Sequence, residues 1–142
     1  TITRLQNMGT PDYLISAACT LVLAQRLARK TCEECRVPDE DVTPEVLTQF
    51  GISAEQASRA KVFKGKGCAK CNDSGYKGRM GIYEILSITK PIKEAILAKA
   101  TTPEIKEIAI KEGFRTMQDM GREMILSGDL NFREFDRVLS AE

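Results

Sequence analysis

The chain has 142 residues, with 21 basic and 20 acidic side chains, five cysteines, and neither histidine nor tryptophan. The absence of imidazole excludes Ser-His-Asp and Cys-His nucleophilic catalysis and histidine-based metal catalysis. A formal charge of +1 argues against binding nucleic acid or an anionic membrane through bulk charge.

Met8-Gly9-Thr10-Pro11-Asp12 reads as a turn, with Asp12 placed to cap a short helix from about Tyr13. From Leu21 to Ala28 the apolar residues take a period of two, which predicts a buried strand. Few other segments could supply the rest of its sheet, so the sheet is expected to be an amputated one. Residues 31–78 form a polar, helix-poor middle. Two short helices are predicted there, one with Pro44 at its first position after Thr43 and one opened by the S-x-x-Q capping box Ser53 to Gln56. Charge is segregated along this middle. Five acids and no base lie between Asp39 and Glu55, while Lys61, Lys64, Lys66, Lys70, Lys77 and Arg79 surround the single acid Asp73. These stretches could be complementary faces of neighbouring subunits, and the basic one could contact phosphate, although a solvated face is the default.

Arg79 to Leu86 alternates like a half-buried strand. Helices are then expected after Thr89 on Ile92, Ala95 and Ile96, and from Thr102-Pro103 to the stop at Gly113 on Ile105, Ile108 and Ala109. Two more are expected on Met117, Met120, Met124 and Ile125, ending at Gly128, and from Asn131, with Glu134 three residues on, along Phe132, Phe135, Val138 and Leu139. The methionine stripe reads as a packed helix face, with an adaptable binding groove as the alternative. No run approaches the roughly 18–20 apolar residues of a membrane span, and no signal-peptide pattern opens the chain. The expectation is therefore a cytosolic chain whose cysteines stay reduced.

The strongest chemical signal is Cys32-Glu33-Glu34-Cys35 followed, after 32 intervening residues, by Cys68-Ala69-Lys70-Cys71. Each C-x-x-C turn can aim two thiolates at one ion, and two such turns close a four-sulfur shell without a vacant position for substrate. Structural zinc on Cys32, Cys35, Cys68 and Cys71 is the leading reading, with an iron or redox dithiol site and unligated thiols as alternatives. Gly65, Gly67 and Gly75 suit the tight turns, and Lys66 and Lys70 would favour the thiolates. Cys19 lacks a partner at ligand spacing and reads as a buried small hydrophobe. There is no G-x-x-x-x-G-K-[ST] loop, no G-x-G-x-x-G after a strand and no paired-carboxylate signature, so no catalytic or nucleotide-binding residue is predicted. A freestanding zinc ribbon binding nucleic acid through Lys61 to Arg79 is an alternative, weakened by the scarcity of stacking aromatics beyond Phe63 and Tyr76.

Several segments also carry a family resemblance when taken in order. These are Thr1-Ile2-Thr3-Arg4-Leu5, Met8-Gly9, Ala24-Gln25-Arg26-Leu27-Ala28-Arg29 running into Cys32, Gly67-Cys68, Ser74-Gly75-Tyr76-Lys77-Gly78-Arg79, Gly81-Ile82-Tyr83-Glu84 and Glu112-Gly113. Together they resemble the carboxy-terminal third of the secretion ATPases that drive type IV pilus assembly and type II secretion, with wording closer to the pilus-extension member. The resemblance implies a mixed α+β, mostly helical fold. Residues 1–30 would be the truncated edge of a RecA-like α/β core, 31–78 a tetracysteine zinc-binding module, and 79–142 a return strand and carboxy-terminal helical bundle. It implies a full-length parent that is a homo-hexamer using ATP and Mg2+ in the cytoplasm, peripheral to the inner membrane, and pushing on an inner-membrane platform protein. The phosphate-binding loop, acidic motifs and histidine box of that family would precede Thr1, so the chain is expected to be a non-catalytic fragment. Arg26 could face a phosphate or a neighbouring subunit, or pair a carboxylate as a structural arginine.

Overall fold

Local sequence signals account for most helix boundaries in the computed structural model, which describes residues 1–140. The chain divides into two compact units, one built from Thr1–Ala24 and Glu84–Thr116 and the other from Gln25–Tyr83 and Met117–Glu142. Two long strands, β1 (Leu21–Thr31) and β4 (Tyr76–Ser87), pair with each other and run through both. Their ladder is flanked at one end by the Ile88 N–H donating to the Thr20 carbonyl and at the other by the Cys32 N–H donating to the Gly75 carbonyl, each at 3.0 Å. The strands are therefore antiparallel.

The first unit holds α1 (Ile2–Asn7), α2 (Asp12–Ala18), α5 (Lys90–Leu97) and α6 (Thr102–Lys111). Its core is an isoleucine cluster of Ile2, Ile15, Ile88, Ile92, Ile96 and Ile105 closed by Ala95 and Ala109. Complete burial of one such side chain contributes about 1.5–3 kcal/mol, which is why the i, i+3, i+4 stripes of these short helices hold them in place. Helix α6 starts in a capping box, where the Glu104 carboxylate accepts from the Thr101 backbone N–H at 2.6 Å and from its hydroxyl at 2.7 Å. It stops before Gly113, whose φ of +90° suits a residue without Cβ. Cys19 packs half-buried against this core, as a small hydrophobe would.

The second unit holds β2 (Arg36–Pro38), α3 (Pro44–Gln49), α4 (Ala54–Arg59), β3 (Phe63–Gly65), α7 (Met117–Leu126) and α8 (Phe132–Leu139). Proline opens α3, and the Ser53 hydroxyl caps α4 by accepting from the Gln56 N–H at 3.3 Å. Ala28, Leu47, Ile52, Ile82, Ile125, Leu130, Phe135 and Leu139 form most of its core, with Met117, Met120 and Met124 packed half-buried against it. The Phe50 ring meets Phe132 edge-on at 4.9 Å and Phe135 at 6.0 Å. Helices α7 and α8 approach so closely at Gly121 that a Cβ there would lie 2.5 Å from Leu139 Cδ1.

Two local expectations change. Strand β1 is buried on one face only: Ala28 lies in the core, whereas Leu21, Leu23 and Leu27 on the other face of the two-stranded sheet remain 50%, 51% and 52% exposed. Asp12 is the first residue of α2 and not its cap, and its carboxylate accepts from Gln6 Nε2 at 2.8 Å. Helix α1 and the β2–β3 pair had no sequence forecast. Both are short and lack a side-chain cap or a sustained period, so their stability comes from tertiary contacts.

Candidate metal centre

Two turns bring the four cysteines together. The first, Cys32 to Cys35, leaves the end of β1, and the second, Cys68 to Cys71, wraps a 3-10 turn over Ala69–Cys71. Between them, β2 and β3 pair antiparallel with Arg36 opposite Gly65, Val37 opposite Lys64 and Pro38 opposite Phe63. This pairing cancels the sequence separation. The Lys66 N–H then donates to the Cys35 carbonyl at 3.0 Å, continuing the ladder to the edge of the site.

All four sulfurs lie within 4.8 Å of one another, so Cys32, Cys35, Cys68 and Cys71 could hold a metal ion. The Cys32 and Cys68 sulfurs are 3.9 Å apart, those of Cys35 and Cys71 also 3.9 Å, and those of Cys68 and Cys71 3.7 Å. Backbone N–H groups point at them: Gly67 donates to Cys35 Sγ, and Cys68 and Gly75 to Cys71 Sγ, each at 3.3 Å. Such donors favour thiolate over thiol. Burial would raise Cys71, yet the Cys68 and Gly75 N–H groups bring it down to about 6, while burial pushes Cys35 up to about 11. An ion that binds four sulfurs must therefore displace protons. Outside the shell, Lys70 pairs with Glu34 at 2.6 Å; that carboxylate holds the lysine above its ordinary value, and the Cys68 and Cys32 sulfurs add to the effect.

Glycine is required at the crossing of the two turns. A Cβ on Gly65 would lie 2.0 Å from the Gly75 carbonyl oxygen, and one on Gly75, whose φ is +76°, 2.6 Å from that of Gly65. Backbone cannot yield as a flexible side chain can. Gly65→Ala is expected to cost roughly 3 kcal/mol, the upper end for overpacking, and to weaken metal retention. A denaturant midpoint equal to the wild type would contradict this close packing.

Other residues singled out by sequence take structural roles. Arg26 Nη1 donates to the Val138 carbonyl at 2.5 Å, near the end of α8. The acidic and basic stretches meet inside the chain: Lys64 Nζ contacts Asp39 at 2.9 Å and Asp41 at 2.8 Å, and Asp39 has a fully buried side chain. Lys64 thus finds acidic partners within its own chain. Sequence reasoning missed Glu134. Asn131 does cap α8, accepting from the Arg133 N–H at 2.8 Å, but Glu134 turns inward to full burial. Its carboxylate accepts from the Arg29 N–H at 2.9 Å, from Arg29 Nε at 3.1 Å and Nη2 at 2.7 Å, and from Arg137.

The profile of the family described as type II/IV secretion system protein matches residues 1–137. The chain belongs to this family. Among its secretion-system relatives it is 42% identical over 136 residues to the type IV pilus assembly ATPase PilB of Thermus thermophilus, covering 94% of this chain and 15% of that protein. It is 34% identical to PilB of Myxococcus xanthus, covering 94% of the chain and 24% of the relative. It is 34% identical to type II secretion system protein E of Aeromonas hydrophila, covering 96% and 26%. The chain therefore spans between 15% and 26% of the length of these three secretion-system relatives. Within the described residues no helix is long and apolar enough to cross a membrane.

Proposed function

We propose that this chain is the zinc-binding and helical carboxy-terminal portion of an ATPase that powers type IV pilus assembly, with one structural zinc ion on Cys32, Cys35, Cys68 and Cys71. The observation that carries the reading is the sulfur spacing. Four thiolates about 2.3 Å from a central zinc stand about 3.8 Å apart at the corners of a tetrahedron; three of the six sulfur pairs here stand 3.7 to 3.9 Å apart, and all four sulfurs lie within 4.8 Å of one another. The shell is closed, so the ion would serve as a cross-link between the two turns and not as a Lewis acid. Cys32 and Cys71 are buried, which shields it from solvent.

In the parent protein, residues 1–30 would complete a RecA-like core, 31–78 would carry the zinc, and 79–142 would supply the return strand and a helical bundle. ATP and Mg2+ would bind outside this chain. The parent would act as a homo-hexamer on the cytoplasmic side of the inner membrane and transmit force to a platform protein there. Identities of 42% and 34% to two pilus assembly ATPases, against 34% to a type II secretion protein, favour the pilus reading only through the first of them. The ion pairs that occupy Lys64 and Lys70 leave less of the basic stretch for a phosphate backbone, which weakens the nucleic-acid alternative.

The test uses the full-length parent. Cys68→Ser there is expected to abolish pilus extension and lower the zinc content below one per subunit. Normal piliation by a zinc-free Cys68→Ser, Cys71→Ser protein would overturn the reading. Restored type II secretion without restored piliation, on complementing strains that lack each motor, would move it to the secretion branch.

A further inference from the structure

We propose that Glu134 is a positioning residue for the four-cysteine site, through which helix α8 sets the site's hold on its metal. This rests on the reading of the cysteines as zinc ligands and extends it to a residue 63 positions beyond the last of them in sequence. Glu134 is fully buried, and Arg29 binds it with its backbone N–H and both ends of its guanidinium edge, while Arg137 holds the same carboxylate from within α8. Three donors from one residue fix Arg29 in position and orientation. Its guanidinium carbon is thereby held 4.1 Å from the centroid of the Tyr76 ring.

From Tyr76 the contacts lead to the sulfurs by short steps. The Tyr76 N–H donates to Ser74 Oγ at 3.2 Å, and that hydroxyl donates to the Cys71 carbonyl at 2.6 Å. Between them, the Gly75 N–H donates to Cys71 Sγ and the Gly75 carbonyl accepts from the Cys32 N–H. One residue thus touches a ligand from each C-x-x-C pair. Arg29 and Tyr76 sit on the two strands that deliver Gly75 and Cys32, so the Glu134–Arg29–Tyr76 contact sets where the strands end relative to each other. A second link from the same helix runs parallel to it: Asn131 Nδ2 donates to the Phe63 carbonyl at 3.2 Å, on the strand that leads into Gly65 and Gly67. Partners outside a metal's ligand shell that fix ligand orientation typically change affinity by roughly 10- to 100-fold when removed.

Glu134→Gln keeps the shape of the side chain and removes its charge. Tyr76→Leu leaves the Glu134 pairs intact and removes only the ring under Arg29. Val138→Ala thins the core contact of the same helix without touching this network. The measurement is competition for zinc against a chromophoric chelator, with the denaturant midpoint of each variant determined in parallel. Glu134→Gln and Tyr76→Leu are expected to bind one zinc per chain at saturation with affinity lowered roughly 10-fold or more, and Val138→Ala to lower the midpoint with little change in affinity. Should Glu134→Gln fail to fold, Tyr76→Leu carries the test. Wild-type affinity in the folded variants, or an equal loss in Val138→Ala at matched stability, would overturn the positioning role while leaving the zinc reading intact. A wild-type chain that takes up no zinc would instead overturn the zinc reading, and this proposal with it.

Discussion

Cys68→Ser is expected to unfold the unit formed by Gln25–Tyr83 and Met117–Glu142, while Cys19→Ser leaves the same unit folded. The difference follows from magnitudes. Structural zinc in small modules contributes apparent free energies of about 10–16 kcal/mol, against a total domain stability of about 5–15 kcal/mol. Serine cannot replace a thiolate ligand, and the three remaining sulfurs would be left partly buried around an incomplete shell. Cys19 packs half-buried in the other unit, where Cys→Ser costs on the order of 1 kcal/mol. Because each unit has its own cluster of buried residues, hydrogen exchange should separate the outcomes. In Cys68→Ser, or in wild type treated with a chelator, amides of α7 and α8 are expected to lose protection while those of α5 and α6 keep most of theirs. Unchanged protection in α8 after complete metal removal would contradict the proposed dependence.

Glu134→Ala is expected to destabilise the protein by about 3–5 kcal/mol, the range for removing one partner of a buried ion pair. Both Arg29 and Arg137 would lose their carboxylate, and a cavity would open at a fully buried position. The same carboxylate shapes the response to acid. Burial would raise Glu134, but the hydrogen bonds from Arg137 and Arg29 outweigh it and hold the group at about 2, against an ordinary value of 4.5. The unfolded chain takes up the proton first. The stabilisation is therefore fully present above about pH 5 and is lost as pH falls toward 2, an effect of up to about 3 kcal/mol. Glu134→Gln should flatten this part of the stability profile when both proteins are compared at saturating metal. Parallel wild-type and variant profiles between pH 5 and 2 would show that Glu134 does not titrate as its contacts require.

Much of this fold was legible where the signal is local. Thr102-Pro103, Ser53 with Gln56 and Pro44 after Thr43 each mark a helix start with residues within one turn of each other, and the structure places helices there. The four cysteines were legible for a similar reason, since each pair needs only one tight turn. What was not legible depends on partners far apart in the chain. Glu134 and Arg29 are 105 positions apart, and nothing in Asn131-Phe132-Arg133-Glu134 distinguishes an inward carboxylate from an exposed capping one. Lys64 and Asp39 likewise appeared as members of segregated charge runs until the β2–β3 pairing set them side by side. The alternation in β1 correctly marked a strand but could not say whether a second layer covers it. Period two reports that two faces differ, not what lies against each.

The most direct test of the central claim is elemental analysis of the chain purified under reducing conditions without added metal. One zinc per chain, released by chelation together with loss of amide protection around Cys32, Cys35, Cys68 and Cys71, is the result expected here. A fully folded chain with four reduced thiols and no bound metal would contradict it.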